Sequence, residues 1–315
     1  LLTVPLCTDE ATSDMTRTRL AARGPECSRI VYGTWRLLAA SPTTQDINRR
    51  LHACLELGIT TIDTAEIYGL YEVEKQLGEA LALSPGLRDK FEIVTKAGIY
   101  VPCAYHPERR TAHYNATGPR LVKSLEKSLR WLGTDHVDLF LVHRPDWLTR
   151  ADDTASGLNA LLRDGKIRAA GVSNYSVSQF DLLSACMDQP LATNQIEFHL
   201  LHTAPIDDGT LHQCEGLGVV PMAWSPLAGG RLFDPANPAA VRLATLATRM
   251  ADRYPGVTLE QLAYAWILAH PSRPVVVIGT NKLERLQAAA QADHLVLERE
   301  DWYALWEAAQ GRQIP

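Results

Sequence analysis

Along most of the chain, amphipathic stretches of helical spacing alternate with short β-branched runs, and a glycine stands between them. Asn48 to Leu57 stops at Gly58 before Thr60–Ala65, and Arg120 to Leu132 stops at Gly133 before Val137–His143. Ala155 to Asp164 stops at Gly165 before Ile167–Val172, and Leu211 to Glu215 passes through Gly216 and Gly218 into Val219–Trp224. Glycine suits the left-handed residue just past a helix end. Helices alternating with short apolar strands predict βαβ units and a parallel sheet. Eight strands are predicted, near Ile30–Trp35, Thr60–Ala65, Phe91–Lys96, Val137–His143, Ile167–Ser173, Thr193–Phe198, Val219–Trp224 and Pro274–Gly279. Ser176 to Gln179 and Thr258 to Gln261 have capping-box spacing, so a helix is expected to open at each. A last helix is expected near Glu300 to Ala309. This pattern fits a closed (β/α)8 TIM barrel better than an open doubly wound sheet.

The length agrees. A barrel of this type takes about 250 residues as one unit, and 315 residues with 46% apolar content can bury its core. We therefore expect residues 1–28 to form an N-terminal segment, partly flexible or a short hairpin, and 29–315 a single barrel domain. Two connections are long for a compact domain: Gly98 to Gly118, with Tyr100, Tyr105, His106 and His113, and Ser225 to Pro238, with Gly229, Gly230 and Arg231. Loops of such length are usually functional.

Charge and cysteine usage narrow the function. A net charge of −5 without runs of one sign argues against nucleic-acid binding. No stretch reaches the roughly 18 apolar residues of a membrane span. Six scattered cysteines without a CxxC pair read as reduced thiols, and Leu1 to Cys7 lacks the basic start of a signal peptide. A cytoplasmic monomer acting on a small molecule is the expectation, with no nucleic-acid or membrane partner. No His/Cys spacing suits a metal, and no G-x-G-x-x-G follows the first strand.

Three predicted strands end in a proton-handling side chain. Thr60–Ala65 carries Asp63, with Tyr68 five residues later; Phe91–Lys96 ends on Lys96 and Val137–His143 on His143. Parallel barrel strands converge at their C-termini on one face, where chemistry sits. Reducing a carbonyl with hydride leaves an alkoxide that needs a proton. A tyrosine can supply it, but with a pKa near 10 it is sluggish. A nearby ammonium typically pulls such a pKa down by about 1–3, and Lys96 is expected to do so, anchored by Asp63. His143 could hydrogen-bond the substrate oxygen.

In these residues the chain resembles the aldo-keto reductase superfamily from about Ile30 onward. Ile62-Asp-Thr-Ala-Glu-Ile-Tyr68-Gly69, Thr95-Lys96 and Leu141-Val-His143-Arg-Pro-Asp146 are similar to that family's Asp–Tyr, Lys and His segments, in the same order. The resemblance implies Tyr68 as general acid, Lys96 as its modulator, Asp63 as the anchor of Lys96, and His143 orienting the carbonyl. It further implies NADP(H) as cofactor. Gly33-Thr34-Trp35 would lie beside the nicotinamide ribose; Ser173, Asn174 and Gln195 would hold the carboxamide; Trp224 would stack on the ring. Ser225, Leu227, Gly229 and Arg231 would cover the pyrophosphate. Gly279, Thr280, Lys282 and Arg285 would receive a 2′-phosphate, the basis for expecting NADPH rather than NADH. Ala288-Ala289 departs from the Glu-Asn or Gln-Asn that many relatives carry there, which weakens the adenine end.

Small bacterial monomeric reductases of the superfamily are closest in character, and the short tail after the last helix implies an open pocket of broad specificity. Trp35, Tyr100 and Trp147 are expected in its wall and favour apolar or aromatic carbonyls. Two other functions compete: a non-catalytic NADPH-binding accessory or sensor subunit, and a Schiff-base aldolase using Lys96 as nucleophile.

Overall fold

The computed structural model describes residues 15–314. Residues 1–14, with Cys7 and part of the expected N-terminal segment, lie outside the described residues. Eight parallel strands pair in strict chain order and close on themselves: β1 (Ile30–Gly33), β2 (Thr61–Asp63), β3 (Glu92–Ala97), β4 (Val137–Val142), β5 (Ile167–Ser173), β6 (Asn194–Glu197), β7 (Met222–Trp224) and β8 (Val275–Ile278). The ring shuts where Val276, Val277 and Ile278 of β8 pair with Ile30, Val31 and Tyr32 of β1. The predicted (β/α)8 barrel is the observed one. Several strands are shorter than predicted. β7 starts after Pro221 because proline has no N–H to give the ladder.

Among the described residues, ten α-helices of eight residues or more dress the barrel: α1 (Thr44–Glu56), α2 (Val73–Ala82), α3 (Gly118–Leu132), α4 (Ala151–Arg163), α5 (Val177–Ser184), α6 (Thr210–Leu217), α7 (Pro238–Met250), α8 (Leu259–Leu268), α9 (Leu283–Ala292) and α10 (Arg299–Gln310). α3 shows why they dock. It buries Leu121, Ser124, Leu125, Ser128, Leu129 and Leu132, one stripe at helical spacing, and ends at Gly133 with φ of 66°. Both predicted capping boxes form, at Ser176 and Thr258. A third, Thr43 with Asp46, starts α1 four residues before the predicted start.

Residues Arg17–Arg19 and Glu26–Ser28 form an antiparallel hairpin at the end of the barrel where the strands begin. Leu20 in its turn is fully buried and its carbonyl accepts from Val220 N at 2.7 Å. Arg17 reaches Thr60 Oγ1 at 2.6 Å and Glu92 at 2.7 Å, closing this end against the starts of β2 and β3. The opposite end stays open.

Two buried positions set limits on the shell. Gly78 of α2 lies against α3, and a Cβ there would stand 2.0 Å from the Trp131 carbonyl oxygen. Backbone cannot retreat as a side chain can, so Gly78→Ala should cost about 2–3 kcal/mol, measurable as a lower denaturation midpoint. Glu74 is buried behind β3, where its carboxyl accepts from Thr95 Oγ1 at 2.5 Å and Ser128 Oγ at 2.7 Å. Burial pushes it up to about 7, against the pull of those two hydroxyls. Since the folded value lies above the ordinary 4.5, the protonated carboxyl favours the fold. That contribution is complete below about pH 4.5 and is lost as pH rises through 7. Glu74→Gln should therefore flatten the stability profile between pH 5 and 8, gaining up to about 3 kcal/mol at the alkaline end. Urea melts across that range are the check.

Candidate active site

The open end of the barrel holds a cleft of about 540 Å³ reached by Asp63, Tyr68, His143, Ser173, Gln195 and Trp224. Lys96, fully buried, lies beneath it. Its Nζ donates to Asp63 Oδ1 at 2.7 Å, to the Thr64 carbonyl at 2.8 Å and to Tyr68 Oη at 3.2 Å. Three N–H groups meet three acceptors, so the ammonium is fully engaged. Asp63 is held in turn. Its Oδ2 accepts from Gln195 Nε2 at 2.6 Å, and its carbonyl accepts from the Thr34 amide at 2.9 Å and hydroxyl at 3.0 Å. Tyr68 is placed by a tight turn in which Gly69, Leu70 and Tyr71 all have positive φ. The His143 and Trp35 rings approach Tyr68 edge-on, at centroid distances of 5.9 and 4.9 Å.

Burial shapes the electrostatics more than the sequence predicts. For Tyr68 it is the largest influence and pushes the phenol up; Lys96 and Arg144 pull it back, and the net position is still above its ordinary value. The expected net lowering by Lys96 is therefore corrected: the ammonium offsets a desolvation cost rather than overcoming it. For Lys96, burial works downward, but Asp63 and Tyr68 outweigh it and the net direction is up. That keeps the amine charged, which opposes the Schiff-base alternative. His143 is driven well below its ordinary value by burial, with Lys96 and Arg144 adding to the fall. Its Nδ1 is buried, with no hydrogen-bond partner among the described residues.

The residues expected around a cofactor fall into two groups. Gly33, Trp35, Ser173, Asn174, Gln195, Trp224, Ser225, Leu227, Gly229, Gly279, Thr280 and Arg285 all line the cleft. Trp224 Nε1 donates to Asn174 Oδ1 at 3.0 Å, Asn174 Nδ2 to Ser173 Oγ at 2.8 Å, and Ser173 Oγ to the Gln195 carbonyl at 2.8 Å, a chain that orients these side chains. Thr34, Arg231 and Lys282 are elsewhere. Thr34 is buried and braces Asp63. Arg231 turns outward, 63% exposed, with its Nε on the Ala228 carbonyl and Nη2 4.0 Å from Glu197. Lys282 caps α9 from the exposed surface beside the cleft.

Two of the three expected wall residues are also displaced. Tyr100 is fully buried, with its hydroxyl 2.9 Å from Ser124 Oγ and its ring stacked on His113. The loop after β3 folds back as a small hairpin, Ile99–Tyr100 against His113–Tyr114, which turns Tyr100 inward. Trp147 is 74% exposed and leans on Tyr114 at 6.0 Å, outside the cleft.

Sequence reasoning missed Arg36, Arg144 and Tyr264 in the lining. Arg36 Nη2 donates to the Gly229 carbonyl at 3.3 Å, tying the first strand turn to the glycine loop. The Arg144 guanidinium stands 5.8 Å from the Trp224 ring centroid. The signals were a charged residue immediately after Trp35 and another immediately after His143. Among the described residues no cluster of three metal-ligating side chains occurs, and no helix is long and apolar enough to cross a membrane.

The cleft suits a dinucleotide. It runs from Lys96 and Tyr68 to the start of α9; a Cβ at Gly230 or Gly279 would meet open space, so the backbone there is accessible. The far end offers Thr280 and Arg285, side chains of a kind that can bind phosphate, next to the N-terminus of α9.

The sequence model describing the Aldo/keto reductase family matches residues 29–310. A 6-dehydroglucose reductase of Agrobacterium fabrum is 44% identical over 92% of this chain and 96% of its own length. A protein of Escherichia coli K12 named oxidoreductase YdhF is 42% identical over 95% and 99%. Among solved structures, a glycerol dehydrogenase from Gluconobacter oxydans superposes with a TM-score of 0.80 at 26% identity, covering 96% of each chain.

The lowered position of His143 gives a direct expectation. Its ring should show no protonation step near pH 6.5, where an ordinary histidine titrates, seen as an unchanged ring-nitrogen resonance across that point in ¹⁵N-histidine spectra, assigned with His143→Asn. A transition centred near pH 6.5 would contradict the assignment.

Proposed function

Because the chain belongs to the aldo/keto reductase family and is an oxidoreductase, we propose that it reduces aldehydes or ketones to alcohols with NADPH, using Tyr68 as proton donor. The observation that carries this reading is the Lys96 ammonium bonded at once to Asp63 and to the Tyr68 hydroxyl on the cleft side.

The bound nicotinamide would supply hydride to the carbonyl carbon, leaving negative charge on the oxygen. Every other part belongs to this chain. Tyr68, held protonated by burial, passes its hydroxyl proton to that oxygen. Lys96 donates to the phenolic oxygen as it loses the proton, stabilising the phenolate that forms. Asp63, fixed by Gln195 and Thr34, keeps Lys96 aimed. A neutral His143 offers a hydrogen bond to the carbonyl without competing as an acid. Ser173, Asn174 and Trp224 would hold the nicotinamide end, and Leu227 and Gly229 the pyrophosphate. The substrate would enter beside Trp35, 62% exposed at the rim, and meet Arg144. A guanidinium fork there suits an oxygen-rich substrate better than an apolar one. Two relatives bear the name 6-dehydroglucose reductase, which supports including oxidised sugars among the candidates.

The test is NADPH consumption at 340 nm against a panel holding aromatic aldehydes, simple ketones and sugar aldehydes. Tyr68→Phe should lower kcat about 10²–10⁴-fold, the usual worth of a placed general acid, while NADPH affinity by fluorescence titration stays within about twofold. Turnover surviving that substitution would remove Tyr68 from the reaction. Consumption by no member of the panel would remove the reductase reading.

A further inference from the structure

At the α9 end of the cleft, the cation that would receive an anion, Arg285, is already held by a carboxylate that is not itself part of the lining. Glu260, in the first turn of α8, accepts from Arg285 Nε with both oxygens at 3.1 Å and lies 3.0 Å from Arg285 Nη2. The hydroxyl of Tyr264, one turn further along α8, donates to the same carboxylate at 2.8 Å. Glu260 is only 14% exposed and Arg285 36%. This is a well-made pair, already satisfied. Lys282 differs. It stands three residues before Arg285, exposed, and among the described residues no carboxylate lies within 4 Å of its ammonium.

We propose that Glu260 is a selectivity residue for the dinucleotide, one that weakens discrimination in favour of a 2′-phosphate. The proposal rests on the cofactor reading above and deepens it. A phosphate dianion approaching Arg285 meets a guanidinium whose charge is already matched, and beyond it a negative carboxylate. It must displace Glu260, which leaves an acid in a largely dry site, or share the cation against like-charge repulsion. Lys282 and the α9 amides then hold the phosphate, and Arg285 contributes little. The unphosphorylated dinucleotide has no dianion to place there and meets no such opposition. The chain therefore accepts both cofactors, with a modest preference for NADPH carried by Lys282.

Equilibrium binding reads this without turnover. NADPH and NADH are titrated against the full chain by quenching of tryptophan fluorescence. Glu260→Gln keeps the shape and removes the charge; it should tighten NADPH about tenfold and move NADH by less than about twofold. Lys282→Ala, a surface change that spares the fold, should weaken NADPH about tenfold and bring the two affinities close together. Unchanged or weaker NADPH binding in Glu260→Gln overturns the proposal, as does a preference that survives Lys282→Ala. Should Glu260→Gln fail to fold, the Lys282→Ala result decides alone. If the unaltered chain binds both nucleotides and the variants behave otherwise than stated, only this inference falls. If it binds neither, the cofactor reading falls with it.

Discussion

A lysine ammonium with no access to water is the constraint around which the rest is arranged. Moving such an ion from water into protein carries a penalty of several kcal/mol even after relaxation, so Lys96 stays charged only if its surroundings compensate completely. The resulting network draws on three strands. Asp63 comes from β2, Lys96 from β3, and Gln195 of β6 occupies the second oxygen of Asp63 from across the barrel. Gln195 cannot reach Asp63 unless the barrel is closed, so the charge and the closure require each other. The same reasoning explains Thr34, which secures the backbone at Asp63 instead of facing the cleft.

One consequence is a site whose proton inventory is set by desolvation. Burial raises the Tyr68 phenol and lowers the His143 imidazole, so both are neutral at ordinary pH. A neutral phenol next to a fixed ammonium is primed to give up a proton when negative charge appears nearby. The imidazole can only lend a hydrogen bond. Two groups that could compete as acids are thereby given different tasks by one environment, with Arg144 biasing both in the same direction.

The barrel was legible because its periodicities are local. β-branched runs, glycine stops and capping spacings each mark an element within a few residues, and all eight strands fell where those signals lie. The quartet Asp63, Tyr68, Lys96 and His143 was legible because strand ends converge by topology alone. Loop side chains were not. Nothing local in Tyr100 or Trp147 tells whether the loop turns them inward or outward, and in the structure one is buried and the other faces solvent. Pairings between distant residues were equally hidden. That Arg285 is matched by Glu260 depends on α8 and α9 lying side by side, and that Gln195 serves Asp63 depends on the width of the barrel. The direction of the Tyr68 shift was misjudged for the same reason: a neighbouring charge can be read from sequence, the depth of burial cannot.

The seam between β8 and β1 imposes an order on how the molecule can be made. Ile30 has its partner, Val276, 246 residues further along the chain (276 minus 30). All four residues of the proton site are synthesised within the first half of the chain, yet Gln195 and the last strand arrive much later. Until then Lys96 and Asp63 lack both the Gln195 amide and the closed barrel that surrounds them in the folded chain. The protein thus cannot acquire its chemistry piecemeal: a chain that stops between His143 and Gln195 contains every proton-handling residue without the closed barrel that gives them their roles.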